Sequence, residues 1–443
     1  RMEIKRTDVD ELNFRLNLQI VKEDYADKKK KMLNDYRRKA ELKGFRPGMA
    51  PMSLIEKMHG TQALVESVNS IISESLNNYI QENNLHILGE PLPNEELQQK
   101  IDWAKDETFE FVFDCALSPE VKLELSKKNK ITTYKVEISQ EAKKNYRSNL
   151  LRQFGKLEPT DVVSDEDFII ADFIQNGEVK AAGSYVTLKT IADEQVKSLF
   201  IGKKVGDKFT VNVNEAFTNE TDRAAMLKVK KEELASLDPV FEVEIKEIKT
   251  IKEAELSQEL YDRIFGKDKV TDEAGFDAKI EERIAAEYQR EADFRFMLDA
   301  KEYLLKKTDI KVPEEFMKRW LFTINEGKFT MEQIEKEFPL FLKDFRWQLI
   351  RQYIMKEQKM EIKREDLLAE AKKIASYQFA MYGLNDVPEE QLTSYAESLL
   401  ANEQEGRRVY EKREEDMVLD YVKETVTLAE KSVTIEELQN MNN

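Results

Sequence analysis

Apolar and polar residues alternate strictly in two separate segments of the chain. In residues 12–20 every second side chain is apolar, and these positions are Leu12, Phe14, Leu16, Leu18 and Ile20. Residues 109–117 repeat the alternation with Phe109, Phe111, Phe113, Cys115 and Leu117. A period of two is typical of a strand with one buried face. The pattern therefore predicts two strands that enclose a long intervening segment.

Helical periodicity fills the region between these two strands. Residues 22–43 are highly charged and carry a thin apolar stripe, whereas residues 61–82 carry apolar side chains three and four positions apart, as an amphipathic helix does. A loop rich in Gly and Pro, residues 44–51, separates the two segments. We therefore predict that residues 2–118 form a small α+β domain in which two helices lie between the outer strands.

A β-rich block follows a boundary at Ser118-Pro119-Glu120. Residues 119–156 are predicted to be a linking segment that includes a helix, and residues 157–250 to be a unit of short strands. The predicted strands and turns are Phe168–Ile174, Tyr185–Ile191, Phe209–Val213 and Phe241–Ile245, with turns at Asn176-Gly177 and Gly206-Asp207.

Helical periodicity returns at residue 251 and turn signals become sparse, so residues 251–443 are predicted to be an all-α unit. The predicted helical segments are 273–306, 313–326, 330–336, 339–362, 364–382, 388–401 and 405–431. The fold class predicted for the whole chain is multidomain α+β, in which a β-rich insert separates an α+β N-terminal domain from an all-α C-terminal domain.

Composition narrows the chemistry that these domains can carry. The chain has 443 residues and a formal net charge of −17, so contact with RNA would need a local basic patch. With two histidines, one cysteine and no complete phosphate-binding loop, we expect no metal site, no cofactor and no ATP hydrolysis. No apolar run approaches the ~20 residues that cross a membrane, and the polar N-terminal segment contains no signal-peptide core. We expect a cytoplasmic protein that does not bind membranes.

The most distinctive motif is the loop Gly44-Phe45-Arg46-Pro47-Gly48-Met49-Ala50-Pro51. Its glycines permit positive φ and its prolines fix φ, so it should hold Phe45 and Arg46 in a set conformation between the two helices. Residues 22–46 contain ten Lys and Arg and five Asp and Glu, a net charge of +5. A positive face on an acidic chain is typical of proteins that bind a phosphate-bearing partner. On composition alone, an ordinary turn beside a solvated helix remains the alternative.

The loop resembles the Gly-Phe-Arg-x-Gly-x-x-Pro motif in the ribosome-binding domain of bacterial trigger factors. The resemblance continues in Leu117-Ser118-Pro119-Glu120-Val121 at the end of the first domain and in the order of the later domains. One departure is Met49, where the family usually places a lysine. The docking residues that the resemblance implies are Lys43, Gly44, Phe45, Arg46, Pro47, Gly48 and Pro51.

What the resemblance implies is an ATP-independent chaperone that docks on the large ribosomal subunit near the exit tunnel, on protein and rRNA. It would shield the apolar segments of unfolded nascent polypeptides. The family also self-associates, which makes a homodimer away from the ribosome a further expectation. Another interpretation of the sequence is a free helical scaffold or adaptor that never binds the ribosome.

The β-rich insert is similar to the FKBP-type peptidyl-prolyl isomerase domain of that family. The family's proline-pocket motifs are replaced, for example by Ala181-Ala182-Gly183-Ser184 and by Asp193–Leu199. No catalytic residue is assigned, and the residual pocket candidates are Asp172, Phe173, Phe209 and Phe217. We therefore expect weak or absent isomerase activity. The alternative is an active isomerase whose helical domain presents the substrate.

The C-terminal helices are rich in Phe and Met, and the resemblance implies that they form a cradle for unfolded segments. Methionine adapts its shape to varied partners, and phenylalanine supplies apolar area. The candidates for substrate binding are Phe316, Met317, Phe322, Phe341, Met355, Phe379 and Met381. Helical periodicity does not separate residues of a cradle wall from residues of a core, so both readings stay open.

Overall fold

The computed structural model describes residues 2–384 and 386–443. They form two compact units: the chain up to Thr133 with Phe296–Glu430, and Tyr134–Arg295 with Lys431–Asn443. In chain order the helices and strands are β1 (Glu3–Asp8), β2 (Asn13–Ile20), α1 (Lys22–Lys39), α2 (Met52–Glu82), β3 (Leu92–Pro93), β4 (Phe109–Ala116), β5 (Lys130–Val136), α3 (Gln140–Gln153), β6 (Lys156–Pro159), β7 (Phe168–Gln175), β8 (Glu178–Thr187), α4 (Glu194–Phe200), β9 (Lys208–Asn212), α5 (Val213–Ala216), α6 (Glu220–Leu227), β10 (Val240–Lys252), α7 (Gln258–Phe265), α8 (Glu273–Thr308), α9 (Glu314–Ile324), α10 (Met331–Glu357), α11 (Arg364–Met381), α12 (Glu389–Ala401), α13 (Glu403–Thr425), β11 (Thr427–Val433) and α14 (Ile435–Asn442).

The first unit begins with an antiparallel sheet in the strand order β1-β2-β4-β3. The register pairs Asn13 with Ala116 and Ile20 with Phe109, so the two alternating segments lie side by side. The inward side chains of β2 pack with apolar residues of α2 in one core, which includes Phe14, Leu16, Leu18, Ile20, Leu64, Val68, Ile71 and Ile72. This confirms the predicted strands, while β1, β3 and the start of α2 at Met52 were not predicted.

Helices from α9 to α13 and the second part of α8 complete the first unit. Their main core contains Phe296, Leu304, Trp347, Ile350, Val418 and Val422. Two separate helices were predicted at 330–336 and 339–362, but α10 runs unbroken through Pro339. Phe338 and Leu342, which flank this proline, are both buried. Their packing offsets the backbone hydrogen bond that proline cannot donate.

The predicted helix at 405–431 is wrong in its last part. Helix α13 ends at Thr425, and the next residues form β11, which pairs with β5. The backbone N–H of Thr427 donates to the carbonyl of Asn129 at 2.8 Å. The backbone of β11 is therefore satisfied by a strand far away in sequence, which local periodicity does not report. The rest of the C-terminal region is mainly helical, as predicted.

The second unit contains the β-rich insert, a sheet in the order β6-β10-β7-β8 with β9 beside β10. Asn176 and Gly177 have φ of 54° and 74°, the signs of a type I′ turn, which confirms the predicted hairpin between β7 and β8. The predicted strand Tyr185–Ile191 is wrong beyond Thr187. Leu188–Thr190 form a 3-10 turn, which buries Leu188 and Ile191 three positions apart.

A helical core completes the second unit and includes Leu150, Leu151, Leu260, Phe276, Ile280 and Ile284. These residues come from α3, α7 and the first part of α8. The two compact units combine segments that are distant in sequence, so they do not test the predicted domain boundaries at residues 118, 156 and 250. Those boundaries stay predictions.

A buried ion pair connects two helices of the first unit. Arg351 of α10 places Nε 3.0 Å from Oε1 of Glu414 in α13, and both side chains are less than a tenth exposed. The guanidinium also lies 5.6 Å from the ring centre of Trp347, whose indole N–H donates to Glu415 at 3.0 Å. Two polar contacts thus connect neighbouring positions of α10 and α13.

Arg351→Met is expected to destabilise the first unit by about 3–5 kcal/mol, because it leaves the Glu414 carboxylate buried without its partner. The double variant Arg351→Met/Glu414→Leu should recover most of that loss, since no charge then stays buried. Chemical unfolding followed by Trp347 fluorescence, in a Trp103→Phe/Trp320→Phe background, measures both. A single variant as stable as its parent would contradict the expectation.

Candidate functional site

The loop at residues 44–51 joins α1 to α2 at one end of a helical hairpin. Gly44 and Gly48 have φ of 95° and 77°, in the left-handed region that favours glycine. The backbone N–H of Phe45 donates to Leu42 at 3.1 Å, and that of Met49 donates to Arg46 at 2.9 Å. The loop is therefore a pair of hydrogen-bonded turns, and its glycines adopt the positive φ that the sequence permits.

Most of the loop faces solvent. Phe45 is 43% exposed and Met49 is 64% exposed, so both present apolar surface to solvent. Of the other predicted docking residues, Lys43, Gly44, Arg46, Pro47 and Pro51 are exposed and Gly48 is half-buried. The structure thus brings one aromatic ring, one guanidinium and one thioether to the same tip.

A small apolar core lies beneath this tip and contains Leu33, Ala50, Ile55 and Ala63. Beside it, the ring of Tyr36 in α1 stacks on His59 of α2 with 5.0 Å between centres. The Tyr36 hydroxyl donates to Glu66 at 2.8 Å, and this hydrogen bond raises the pKa of the Tyr36 phenol. The two helices are therefore joined by apolar and polar contacts close to the loop.

The positive charge of α1 is only partly neutralised. Four of its cations are ion-paired, namely Lys22 with Glu107, Lys28 with Glu74, Lys29 with Glu56, and Arg38 with Asp35. Among the described residues, Lys39, Lys43 and Arg46 make no ion pair, and all three are exposed. Unpaired positive charge is therefore present at the loop end of the hairpin.

A second candidate site is a cleft of about 610 Å³ in the β-rich insert. Hydroxyl groups contribute much of its wall, from Ser184, Tyr185, Thr187, Thr190 and Thr218. Of the four predicted pocket candidates, Phe217 lines this cleft and the other three do not. Phe217 is itself almost fully buried, so its ring presents little surface to the cleft.

The other three candidates have partners elsewhere in the insert. Phe173 is fully buried and meets Phe241 edge-on, with 6.1 Å between ring centres. Phe209 packs edge-on against Phe200 at 4.9 Å.

Asp172 accepts a hydrogen bond from the backbone of Gly183 at 2.8 Å and lies 3.7 Å from Lys246. Neighbouring residues of a strand point to opposite faces, so Asp172 does not share the buried face of Phe173. The four candidates therefore do not line one common cleft.

The seven substrate candidates in the helical region divide by burial. Phe316, Met317 and Met355 belong to apolar cores and are almost fully buried, although Met317 also borders a cleft of the first unit. Phe322 is 41% exposed and Met381 is 71% exposed, while Phe341 and Phe379 are half-buried. Periodicity identifies an apolar face without identifying the neighbour that covers it, so it did not separate these core residues from the exposed ones.

Other exposed apolar side chains lie near the ends of helical hairpins and were not among the predicted residues. Near the α11–α12 connection they are Tyr377, Tyr382 and Leu384, and near the α9–α10 connection they are Ile324 and Phe329. Gly383 and Gly327, with φ of 79° and 75°, mark these connections. Apolar residues close to a turn glycine were the signal that could have identified these positions from the sequence.

A cleft of about 660 Å³ lies within the first unit. Its apolar wall is formed by Leu88, Trp320, Phe341, Phe345 and Trp347. The rings of Phe341 and Phe345 are stacked with 6.2 Å between their centres. Two of the predicted substrate candidates, Phe341 and Met317, line this cleft.

Three further observations bear on possible functions. No helix in the described part of the chain has both the length and the apolarity needed to span a membrane. Within residues 2–384 and 386–443, no three His, Cys, Asp or Glu side chains are grouped as ligands for a metal ion. Burial raises the pKa of the Cys115 thiol to about 12, so this cysteine is not a reactive thiolate near neutral pH.

Three family models match successive parts of the chain. Residues 2–149 match "Bacterial trigger factor protein (TF)", residues 157–253 match "Probable trigger factor, FKBP-like domain", and residues 292–442 match "Probable trigger factor, C-terminal domain". The order of the three matches is the order of domains predicted from the sequence.

Full-length relatives agree with these matches. The trigger factor of Marinobacter nauticus is 23% identical over 98% of both chains. That of Rickettsia conorii is 25% identical over 87% of this chain and 83% of its own. A solved structure described under "Promiscuous Substrate Recognition in Folding and Assembly Activities of the Trigger Factor Chaperone" covers 95% of this chain, with a TM-score of 0.51 and 16% identity, which is a likeness of fold.

Proposed function

Because the chain belongs to the trigger factor family, we propose that it is an ATP-independent chaperone of the cytoplasm. It docks on the large ribosomal subunit near the exit tunnel and shields apolar segments of nascent polypeptides. The observation that carries this proposal is the tip of the α1–α2 hairpin, where Phe45 and Arg46 are exposed on a hydrogen-bonded loop. An exposed aromatic ring beside a guanidinium suits a surface of protein and RNA, because the ring fills a pocket and the guanidinium pairs with phosphate or carboxylate.

The charge distribution supports docking through the tip. Lys39, Lys43 and Arg46 have no acidic partner in the described chain, so they are available to phosphate groups. Each phosphate contact releases counterions, so binding through these residues should weaken as salt rises. Met49 adds apolar area where the family usually has a lysine, and this should make the salt dependence shallower than in such relatives.

We expect Phe45→Ala to weaken ribosome binding at least about tenfold, because an exposed aromatic anchor often contributes 1–2 kcal/mol or more. Arg46→Ala should weaken binding and also reduce the slope of log affinity against log salt by about one. Co-sedimentation with ribosomes across a salt series measures both quantities.

The matched control is Lys22→Ala, which removes a cation at the opposite end of α1, where it pairs with Glu107. It should leave affinity and slope nearly unchanged. Met49→Lys should increase affinity and steepen the slope by about one, because it adds a contact for phosphate. Equal affinities for the parent, Phe45→Ala and Arg46→Ala would refute docking through this tip.

Substrate binding is proposed for the apolar surfaces of the helical region. Met381 and Tyr382 are the most exposed apolar side chains there, at 71% and 85%, and they lie together at the end of α11. Phe322 adds a similar surface on α9, and the half-buried Phe341 and Phe379 border such surfaces. Several weak apolar contacts give tolerant binding that releases readily, so no ATP is required.

The double variant Met381→Ser/Tyr382→Ser should suppress the aggregation of an unfolded protein less well than the parent chain. Removal of both side chains takes away apolar surface worth about 25 cal/mol per Å² of contact. Light scattering after dilution of a denatured protein, at several chaperone ratios, measures the effect. Val179→Ser is the control, because Val179 is also exposed but lies in the insert. Equal losses in the two variants would show that the end of α11 has no special role.

For the insert, we propose that isomerase activity is weak or absent. Only Phe217 of the four predicted pocket residues borders its cleft, and Phe173 and Phe209 pack against other aromatic rings instead. A prolyl isomerase excludes water from the X-Pro amide and twists it against a barrier of about 18–20 kcal/mol. Without the ring surfaces of Phe173, Phe209 and Phe217 around the amide, the cleft performs this poorly. The presence of an open cleft that includes Phe217 favours the alternative, an active isomerase that receives its substrate from the helices.

A proline-peptide isomerisation assay decides between the two. We expect a rate close to the uncatalysed rate, and no further change in Phe217→Ala, because the ring presents little surface to the cleft. Turnover typical of FKBP domains that is lost in Phe217→Ala would establish the alternative. The control is the aggregation assay, in which Phe217→Ala should behave like the parent.

A further inference from the structure

Arg37 differs from the ion-paired cations of α1 in its partner, which is a backbone carbonyl of the loop and not a carboxylate. Its Nε donates to the backbone carbonyl of Ala50 at 2.7 Å, across the chain reversal made by the docking loop. Ala50 is only 2% exposed and belongs to the apolar core beneath the tip. A carbonyl in such a place has few other donors, so the contact with Arg37 is needed to satisfy it.

A second contact fastens the same part of the loop to α1. The backbone N–H of Gly48 donates to the carbonyl of Ala40, just beyond the end of α1, at 3.4 Å. A Cβ atom at Gly48 would lie 3.5 Å from the carbonyl oxygen of Arg38, so the loop backbone lies directly against the last turn of α1. Residues 48–50 are thus held on α1 by one backbone and one side-chain hydrogen bond.

The neighbouring residue Arg38 provides a contrast within the same helix turn. Its side chain is 75% exposed and pairs with Asp35 of its own helix. Among the described residues, no hydrogen bond or ion pair joins the Arg38 side chain to the loop. Arg37 is half-buried and spans from α1 to the loop. Two adjacent arginines of equal charge therefore have different structural roles.

We propose that Arg37 is a positioning residue, which straps the docking loop onto α1 and presets the orientation of Phe45 and Arg46. Its charge does not serve as part of the phosphate-binding face. The inference deepens the proposed function and rests on it for its effect on docking, whereas the strap itself is a property of the free protein. A loop that is already ordered loses less conformational entropy when it docks, which strengthens binding without any new contact.

The experiment compares Arg37→Met with Arg38→Met. Both remove one positive charge at adjacent positions and keep an unbranched apolar side chain. Arg37→Met loses the contact with Ala50, whereas Arg38→Met loses an exposed ion pair with Asp35. Hydrogen exchange of the Gly48 and Met49 amides in the free protein should be about tenfold faster in Arg37→Met, since loss of a charge-assisted hydrogen bond loosens the loop. Exchange in Arg38→Met should match the parent. Arg37→Lys, which keeps a donor, should restore part of the protection.

Ribosome co-sedimentation supplies the second measurement. Arg37→Met should lower affinity severalfold more than Arg38→Met does, without a greater change in the salt slope. Circular dichroism and exchange in the centre of α2 verify that the hairpin stays folded. Equal exchange at Gly48 and Met49 in the two methionine variants would overturn the proposal. So would equal affinities of these variants in a parent chain that binds ribosomes. Faster exchange in Arg37→Met with no ribosome binding by the parent would instead keep the strap and reject the proposed docking function.

Discussion

The N-terminal sheet depends on a central strand that is buried on both of its faces. One face of β4 contributes Phe109 and Cys115 to the core shared with α2. The other face contributes Ala116, which packs with Leu92 and with Phe316 of α9. Burial of a phenylalanine side chain is worth about 1.5–3 kcal/mol, so this second face fixes the sheet to the helical part of its own unit. Asp114 reinforces the junction, because its carboxylate accepts from Arg15 at 3.3 Å and from Arg319 at 2.9 Å.

This junction explains why a helical hairpin can present a defined tip. The base of the α1–α2 hairpin is held by the sheet, and its far end is held by the small core that includes Ala50. The same arrangement explains why Phe316 is not a substrate residue, since its ring is needed to cover the sheet. A chaperone that binds unfolded chains through exposed apolar groups has to keep its own core residues out of that surface. Burial, and not residue type, makes that distinction.

Much of the fold could be predicted from local sequence patterns, and the predictions that failed share one physical cause. The alternation in β2 and β4 and the hairpin turn at Asn176-Gly177 could be predicted because one buried face or one turn geometry determines them. Strands β1 and β11 carry mostly exposed side chains, so no apolar pattern marks them. They exist because a partner strand satisfies their backbone groups. Local sequence does not report a partner that is distant along the chain.

The candidate sites could likewise be predicted only where the local sequence determines the structure. The turns at residues 44–51 could be predicted because their glycines and prolines encode an unusual backbone, whereas the contact of Arg37 depends on a carbonyl thirteen positions later. Asp172 and Phe173 were both expected in one pocket, although neighbouring strand residues point to opposite faces and this rule was available from sequence. The exposed end of α11 was only partly found, since the exposure of Tyr377 and Tyr382 depends on the absence of a covering neighbour among the described residues.

The net charge of the chain also limits how the protein can approach a charged surface. The chain carries −17 in total while residues 22–46 carry +5, so the remainder of the chain is strongly acidic. An RNA surface repels that remainder and attracts the hairpin, but only within roughly 8 Å at physiological salt because of screening. Electrostatic attraction therefore acts at close range, and in the proposed docking it favours orientations that bring the unpaired cations Lys43 and Arg46 to the phosphates. Because the strap orders the loop before docking, the cations are already in place when the surfaces meet. The short-range attraction to phosphate can then act on them at once.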